Sequence, residues 1–192
     1  MSKKYCIFAQ SKVTNSVNDR NYNERKMKKI ALVLVAFVMA QCAMAQQFSL
    51  PILPEKMWPS EYANYEADVL NCCDYLLGTD PSFNAPKHEE CASFLLRWAA
   101  GSPNMSIVVA EELVDAKKGD LLLAYIAGWA RHSIKHPEDN GLLCANVAVT
   151  DMLNFYFAHK DVIGKSKLTD KLLKKQEKGQ LASYITQVLV KE

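Results

Sequence analysis

Several things are scarce in this chain, and each absence narrows what it can be. Seven glycines and seven prolines among 192 residues leave few tight turns. No Asn-Gly or Asp-Gly pair is flanked by alternating apolar residues, so hairpin-built sheets have no local support. None of the patterns GxSxG, GxxxxGK[ST] or GxGxxG occurs. The nucleophile elbow, the phosphate-cradling loop and the dinucleotide fingerprint are therefore not written here. Only four histidines are present and none belongs to an HExxH pair, so the usual zinc-protease helix is missing. Two cysteines are adjacent, but no CxxC spacing of a thioredoxin-like site exists. No apolar run reaches the ~20 residues that cross a bilayer as a helix. No tandem period repeats along the chain.

What is present starts with a leader. Met27-Lys28-Lys29 is a charged start, Ile30 to Ala40 an apolar stretch, and Ala43-Met44-Ala45 a small-x-small cleavage pattern. Residues 27–45 are predicted to be a signal peptide, with Gln46 as the new N-terminus. Gln41 occupies the place where a lipid-anchored Cys42 would want a small residue, which argues against lipidation. Residues 1–26 are polar and unpatterned, a disordered extension or a start codon placed too early. Of the 23 basic and 21 acidic residues, eight and two lie in the leader, leaving 15 and 19, a net charge of −4 on the mature chain. A whole-domain basic footprint for nucleic acid is thereby excluded.

The organising stretch is Asp120 to His136. Leu121 to Ala130 is apolar or small without a break, and a helix apolar on every side is normally buried on every side. Asp120 is the predicted N-cap, and Pro137 stops the helix. Ala124, Ala127 and Gly128 form a small-residue ridge. A helical glycine costs roughly 1 kcal/mol relative to alanine, so Gly128 predicts a close helix crossing.

Around it, residues 46–59 hold three prolines and read as an extended arm, and 60–192 as one helical domain. A helix capped by Ser60 runs to Gly78, with Tyr62, Tyr65, Val69, Leu70, Cys73, Leu76 and Leu77 on one stripe. A second starts at Pro86 and ends at Gly101. A third is expected over Met105 to Ala116, where Ala110 to Leu113 favour helix although Ile107-Val108-Val109 is β-branched. A long apolar helix follows from Leu142 to Gly164, then two short amphipathic helices split by Gly179. The fold class is all-α: a compact bundle or orthogonal array of about six to seven helices around a buried central one. Residues 160–178 carry seven lysines and three acids. A basic C-terminal hairpin docked on an acidic body is the simplest use of that asymmetry.

Candidate functional groups are few. Cys73 and Cys91 each lie five residues from the first interhelical connection, on apolar stripes. An antiparallel hairpin would set them side by side as a disulfide, worth about 3 kcal/mol in the chain-entropy model. Cys72 is the alternative partner, and a reduced core the alternative state. His132 and His136 share a helix face at i,i+4, the spacing of two metal ligands, although two histidines near a helix C-terminus also suit the dipole. Arg97 beside Trp98, and Arg131 near Trp129, could rim a small anionic pocket if their helices pack together. The aromatics otherwise read as core.

At FLLRWAAGSP (Phe94 to Pro103), LLAYIAGWARHSIKH (Leu122 to His136) and KLLKKQEKGQLASYI (Lys171 to Ile185) the chain resembles an uncharacterised family of small exported all-helical proteins from Bacteroidetes-type Gram-negative bacteria. The resemblance implies an all-α periplasmic or secreted domain and brings no catalytic residues. The expected function is a non-enzymatic binding module for a protein or small ligand, with no cofactor, no nucleic acid and no membrane span after signal cleavage. One alternative is a metal- or thiol-dependent enzyme using His132, His136 or a free cysteine. Another is an inhibitor or immunity-type partner.

Overall fold

The computed structural model describes residues 48–190, and the expected leader and the segment before it lie outside them. The described residues form six α-helices and one 3-10 helix, with no strand among them. The elements run as a 3-10 helix Pro59–Tyr65, α1 Glu66–Gly78, α2 Ala85–Gly101, α3 Gly119–Lys135, α4 Gly141–Ile163, α5 Lys167–Glu177 and α6 Leu181–Leu189.

The apolar stretch of α3 acts as a divider. Leu121, Ala124, Tyr125 and Trp129 face one hydrophobic cluster, shared with α4, α5 and α6. Ala127 and Ala130 face a second, built from α1, α2 and Leu53 of the N-terminal arm. Gly128 sits where α3 crosses α4. A Cβ added there would lie 3.0 Å from Asp151 Cβ and 3.1 Å from Ala148 Cα, so any side chain at 128 requires α4 to give way. Arg131, one turn on, ties the same junction, donating to Asp151 Oδ2 at 2.7 Å and to Asp74 Oδ1 of α1 at 3.0 Å.

α4 is the one described helix long and apolar enough to cross a membrane. Nine of its residues are buried, and it packs against α1, α3, α5 and α6 as a core helix of this domain. Asn140 caps it by accepting the Leu143 N–H at 3.1 Å.

Three details differ from the sequence-based expectation. Residues 102–118 are irregular where a helix was expected over 105–116. Tertiary burial overrides local propensity there. Ala110, Leu113 and Val114 are buried in the larger cluster, and burying Leu113 and Val114 is worth about 1.5–3 kcal/mol each. Helix propensities differ by less than about 0.7 kcal/mol per residue. The Tyr125 hydroxyl, donating to the Val108 carbonyl at 2.6 Å, pegs the segment down. Next, the helix expected from Ser60 opens as a 3-10 turn, in which the Glu61 carboxylate accepts the Trp58 N–H at 2.6 Å. Finally, Lys118 rather than Asp120 occupies the N-cap of α3, and Asp120 sits within its first turn, where negative charge favours the dipole.

The arm lies along α2, with Leu53 buried and Ile52 and Trp58 exposed. Lys87 Nζ donates to the Phe48 carbonyl at 2.8 Å and stands 4.1 Å from that residue's ring centre. Arg97 donates to the Pro54 carbonyl at 2.7 Å.

Candidate functional site

The four residues expected to rim a pocket do not meet. Arg97 is exposed and spent on the arm. Trp98 is buried in the α1–α2 cluster, its indole N–H donating to the Tyr62 carbonyl at 3.0 Å. Trp129 is buried in the other cluster against Tyr125, with ring centres 5.8 Å apart. Arg131 faces the two carboxylates of Asp74 and Asp151. Consecutive helical positions point about 100° apart, so an arginine next to a tryptophan in sequence leaves on a different side.

The histidines are close together, with ring centres of His132 and His136 4.8 Å apart. His132 Nε2 is engaged by Asp139 Oδ2 at 2.8 Å, and His136 lies 3.8 Å from Glu138. Among the described residues no group of three or more His, Cys, Asp or Glu is placed to hold a metal ion. Cys72, Cys73, Cys91 and Cys144 are buried free thiols. The thiol that meets Cys91 belongs to Cys72 and not to Cys73. The reason is register: α2 starts at Ala85, one residue earlier than the sequence suggested, which moves the facing position back by one.

The surface with a concentrated chemical character is at the C-terminal hairpin. Ser166 starts α5 by accepting the Thr169 N–H, and its own hydroxyl donates to Asp115 Oδ2 at 2.8 Å. From there Lys167, Lys171, Lys174, Lys175 and Lys178 follow positions i, i+4, i+7, i+8 and i+11, which is a single face. Thr169 and Leu172 on the opposite face are buried. α5 ends at Gly179 in the left-handed conformation (φ 66°), with the Gln180 N–H donating back to the Lys175 carbonyl at 2.8 Å. That turn brings α6 alongside, and Leu181 and Ile185 of α6 enter the larger core cluster.

The result is an open trough of about 500 Å³ lined by Lys165, the four lysines of α5, Lys178 just past its end, Asp170 and Gln180. Tyr184 of α6 stands beneath two of them, with Lys175 Nζ 4.2 Å and Lys171 Nζ 5.8 Å from its ring centre. None of the six lysines is in an ion pair with a described residue. The single carboxylate in the trough, Asp170, is already engaged by Lys160 at 2.6 Å and by the Tyr156 hydroxyl at 3.1 Å. Hydrogen bonds from these two groups hold its carboxyl below the ordinary carboxylate value.

The hairpin was expected to dock on an acidic body through its charge. Within 160–178 only Lys160 pairs with a described acid; the attachment to the rest of the domain runs through Leu172, Leu181 and Ile185. Lys165 and Lys167 also line a second cleft with Glu111 and Asp115, without forming an ion pair there. Comparison with known proteins finds no matching family model, no matching curated protein and no matching solved structure.

Proposed function

We propose that this chain is an exported helical interaction module that binds an acidic segment of a partner protein in the α5–α6 trough. The reading is carried by one observation: six lysines share one open surface and none is paired with a described carboxylate. Like charges a few ångströms apart repel within the ~8 Å screening length of physiological salt, so the cluster carries a standing cost that an anionic partner would relieve. The lysines from Lys167 to Lys178 span about 16 Å, at roughly 1.5 Å per residue, which suits an extended chain. Lysine presents a point charge on a flexible stem and lacks the planar fork of arginine for bidentate phosphate contacts. Export rests on the leader pattern of residues 27–45.

The test is fluorescence anisotropy of a labelled glutamate-rich peptide titrated with the full chain. An oligonucleotide and phosphatidylglycerol vesicles serve as comparison arms. Peptide binding that weakens as salt is raised from about 0.05 to 0.5 M is expected. Exposed lysine–carboxylate contacts are worth about 0.2–1 kcal/mol each. Reversing two of them, Lys171→Glu with Lys175→Glu, should weaken binding by roughly tenfold or more, since 1.4 kcal/mol is a factor of ten. Unchanged affinity in that double variant would refute the proposal, and so would a clear preference for the vesicles or the oligonucleotide.

A further inference from the structure

The cysteines are buried chemistry that partner docking leaves unused. α1 and α2 form an antiparallel hairpin joined by residues 79–84. Cys72 stands six residues before the last residue of α1 and Cys91 six residues after the first of α2. Positions equidistant from such a turn lie opposite each other, which sets these two cysteines against one another across the hairpin. Both side chains are fully buried in the cluster that α1 and α2 build together. Cys73, one position on, turns toward α3, where the backbone of Arg131 is its neighbour, and burial pushes its thiol up to about 12.

The surroundings differ from those of an inert apolar pair. The Tyr75 hydroxyl is buried without a hydrogen-bond partner and lies close enough to Cys91 to feel its charge. The Lys87 ammonium acts on both thiols while its Nζ holds the Phe48 carbonyl of the arm. The Lys87 charge favours the thiolate at both positions, against the burial that favours the thiol.

We propose that Cys72 and Cys91 are a dithiol pair that closes into a disulfide stapling α1 to α2, with Cys73 left reduced. The oxidant is a low-molecular-weight disulfide, and oxidised glutathione serves as the probe. The thiolate of one cysteine of the pair attacks one glutathione sulfur, the glutathione S–S bond breaks, and one glutathione leaves as a thiolate that takes up the proton. The other cysteine then gives up its proton and attacks the cysteine sulfur of the mixed disulfide, forming Cys72–Cys91 and releasing the second glutathione. Two electrons and two protons pass from the protein thiols to the glutathione, and no other reactant is needed. Because both sulfurs are shielded from solvent, the exchange proceeds while the hairpin is assembling.

The experiment refolds the full chain in an oxidising glutathione buffer, blocks free thiols with N-ethylmaleimide under denaturing conditions, and maps the non-reduced digest. A cross-linked peptide pair lighter by two hydrogens is expected, with backbone fragments cut between residues 72 and 73 placing the bridge on Cys72. Cys73 should carry the maleimide. Finding Cys72 and Cys91 both blocked overturns the proposal, as does finding Cys73 in the cross-link. The assignment is made on the unaltered chain, so no variant has to fold for the result to count. As a second arm, Cys73→Ala should retain the cross-link and Cys72→Ala should abolish the link to Cys91.

Discussion

The close approach of α3 and α4 at Gly128 makes a quantitative prediction. A Cβ at position 128 would lie 3.0 Å from Asp151 Cβ and Oδ2 and 3.1 Å from Ala148 Cα. Carbon atoms are comfortable at about 3.5–4.0 Å, so even alanine requires the two helices to part by about 0.5 Å. The Ala148 contact is backbone and has no rotamer by which to move aside. Alanine recovers about 1 kcal/mol of helix propensity against an overpacking cost of about 1–3 kcal/mol, so Gly128→Ala should fall between neutral and about 2 kcal/mol destabilised. Leucine adds three further carbons in the same place with little extra propensity gain. We expect Gly128→Leu to cost about 3 kcal/mol or more, because the displacement also stretches the Arg131–Asp151 pair one turn along. For a domain of this size that corresponds to a melting temperature lower by roughly 10 °C. Thermal unfolding followed by circular dichroism, with urea unfolding as a check on the slope, measures it. Gly119→Ala is the control, since nothing lies within 4 Å of a Cβ there, and it should leave stability unchanged or slightly raised. A Gly128→Leu protein that melts with the parent would refute the crossing as the reason for the glycine.

Three other outcomes follow from the geometry. Ser166→Ala removes the α5 cap and leaves Asp115 without its hydroxyl partner, so urea unfolding should show a loss of about 1–2 kcal/mol. Gly179→Ala forces a side chain into the left-handed conformation that closes α5, and should cost about 1 kcal/mol by the same measurement while leaving the α3–α4 junction intact. Asp170 has a folded-state carboxyl held below its ordinary value of 3.8, chiefly by the hydrogen bond from Lys160. Its contribution is therefore fully present above that value and lost as pH falls through the lowered one. Asp170→Asn should flatten the acid limb of a stability-versus-pH curve, and an unchanged limb would show that the pair is irrelevant to acid unfolding.

The helices that were legible in the sequence are those with both an apolar pattern and a punctuating residue. Gly164 closes α4, and Gly179 separates α5 from α6. Gly128 likewise announced a crossing, because a glycine in a helix interior needs a reason. The irregular stretch 102–118 was not legible, since what decides it is the burial of Ala110, Leu113 and Val114 and the hydroxyl of Tyr125, all set by distant parts of the chain. Which of Cys72 and Cys73 stands opposite Cys91 turns on a single residue, because equidistance from a turn is only as good as the helix boundary, and α2 begins at Ala85. The lysine face was visible as a local charge excess. Whether those charges would be satisfied within the molecule depended on which side of α5 carries Thr169 and Leu172, and that side faces the core.

The divided environment of α3 has a consequence for how the domain can change over time. One helix lends opposite flanks to two separate oily clusters, so it works as a shared party wall between two rooms. A change of volume on either flank is felt through the wall by the residues behind the other. Drift in the outer helices is then easier to accommodate than drift in the wall, where small residues such as Ala124, Ala127 and Gly128 leave no slack to redistribute.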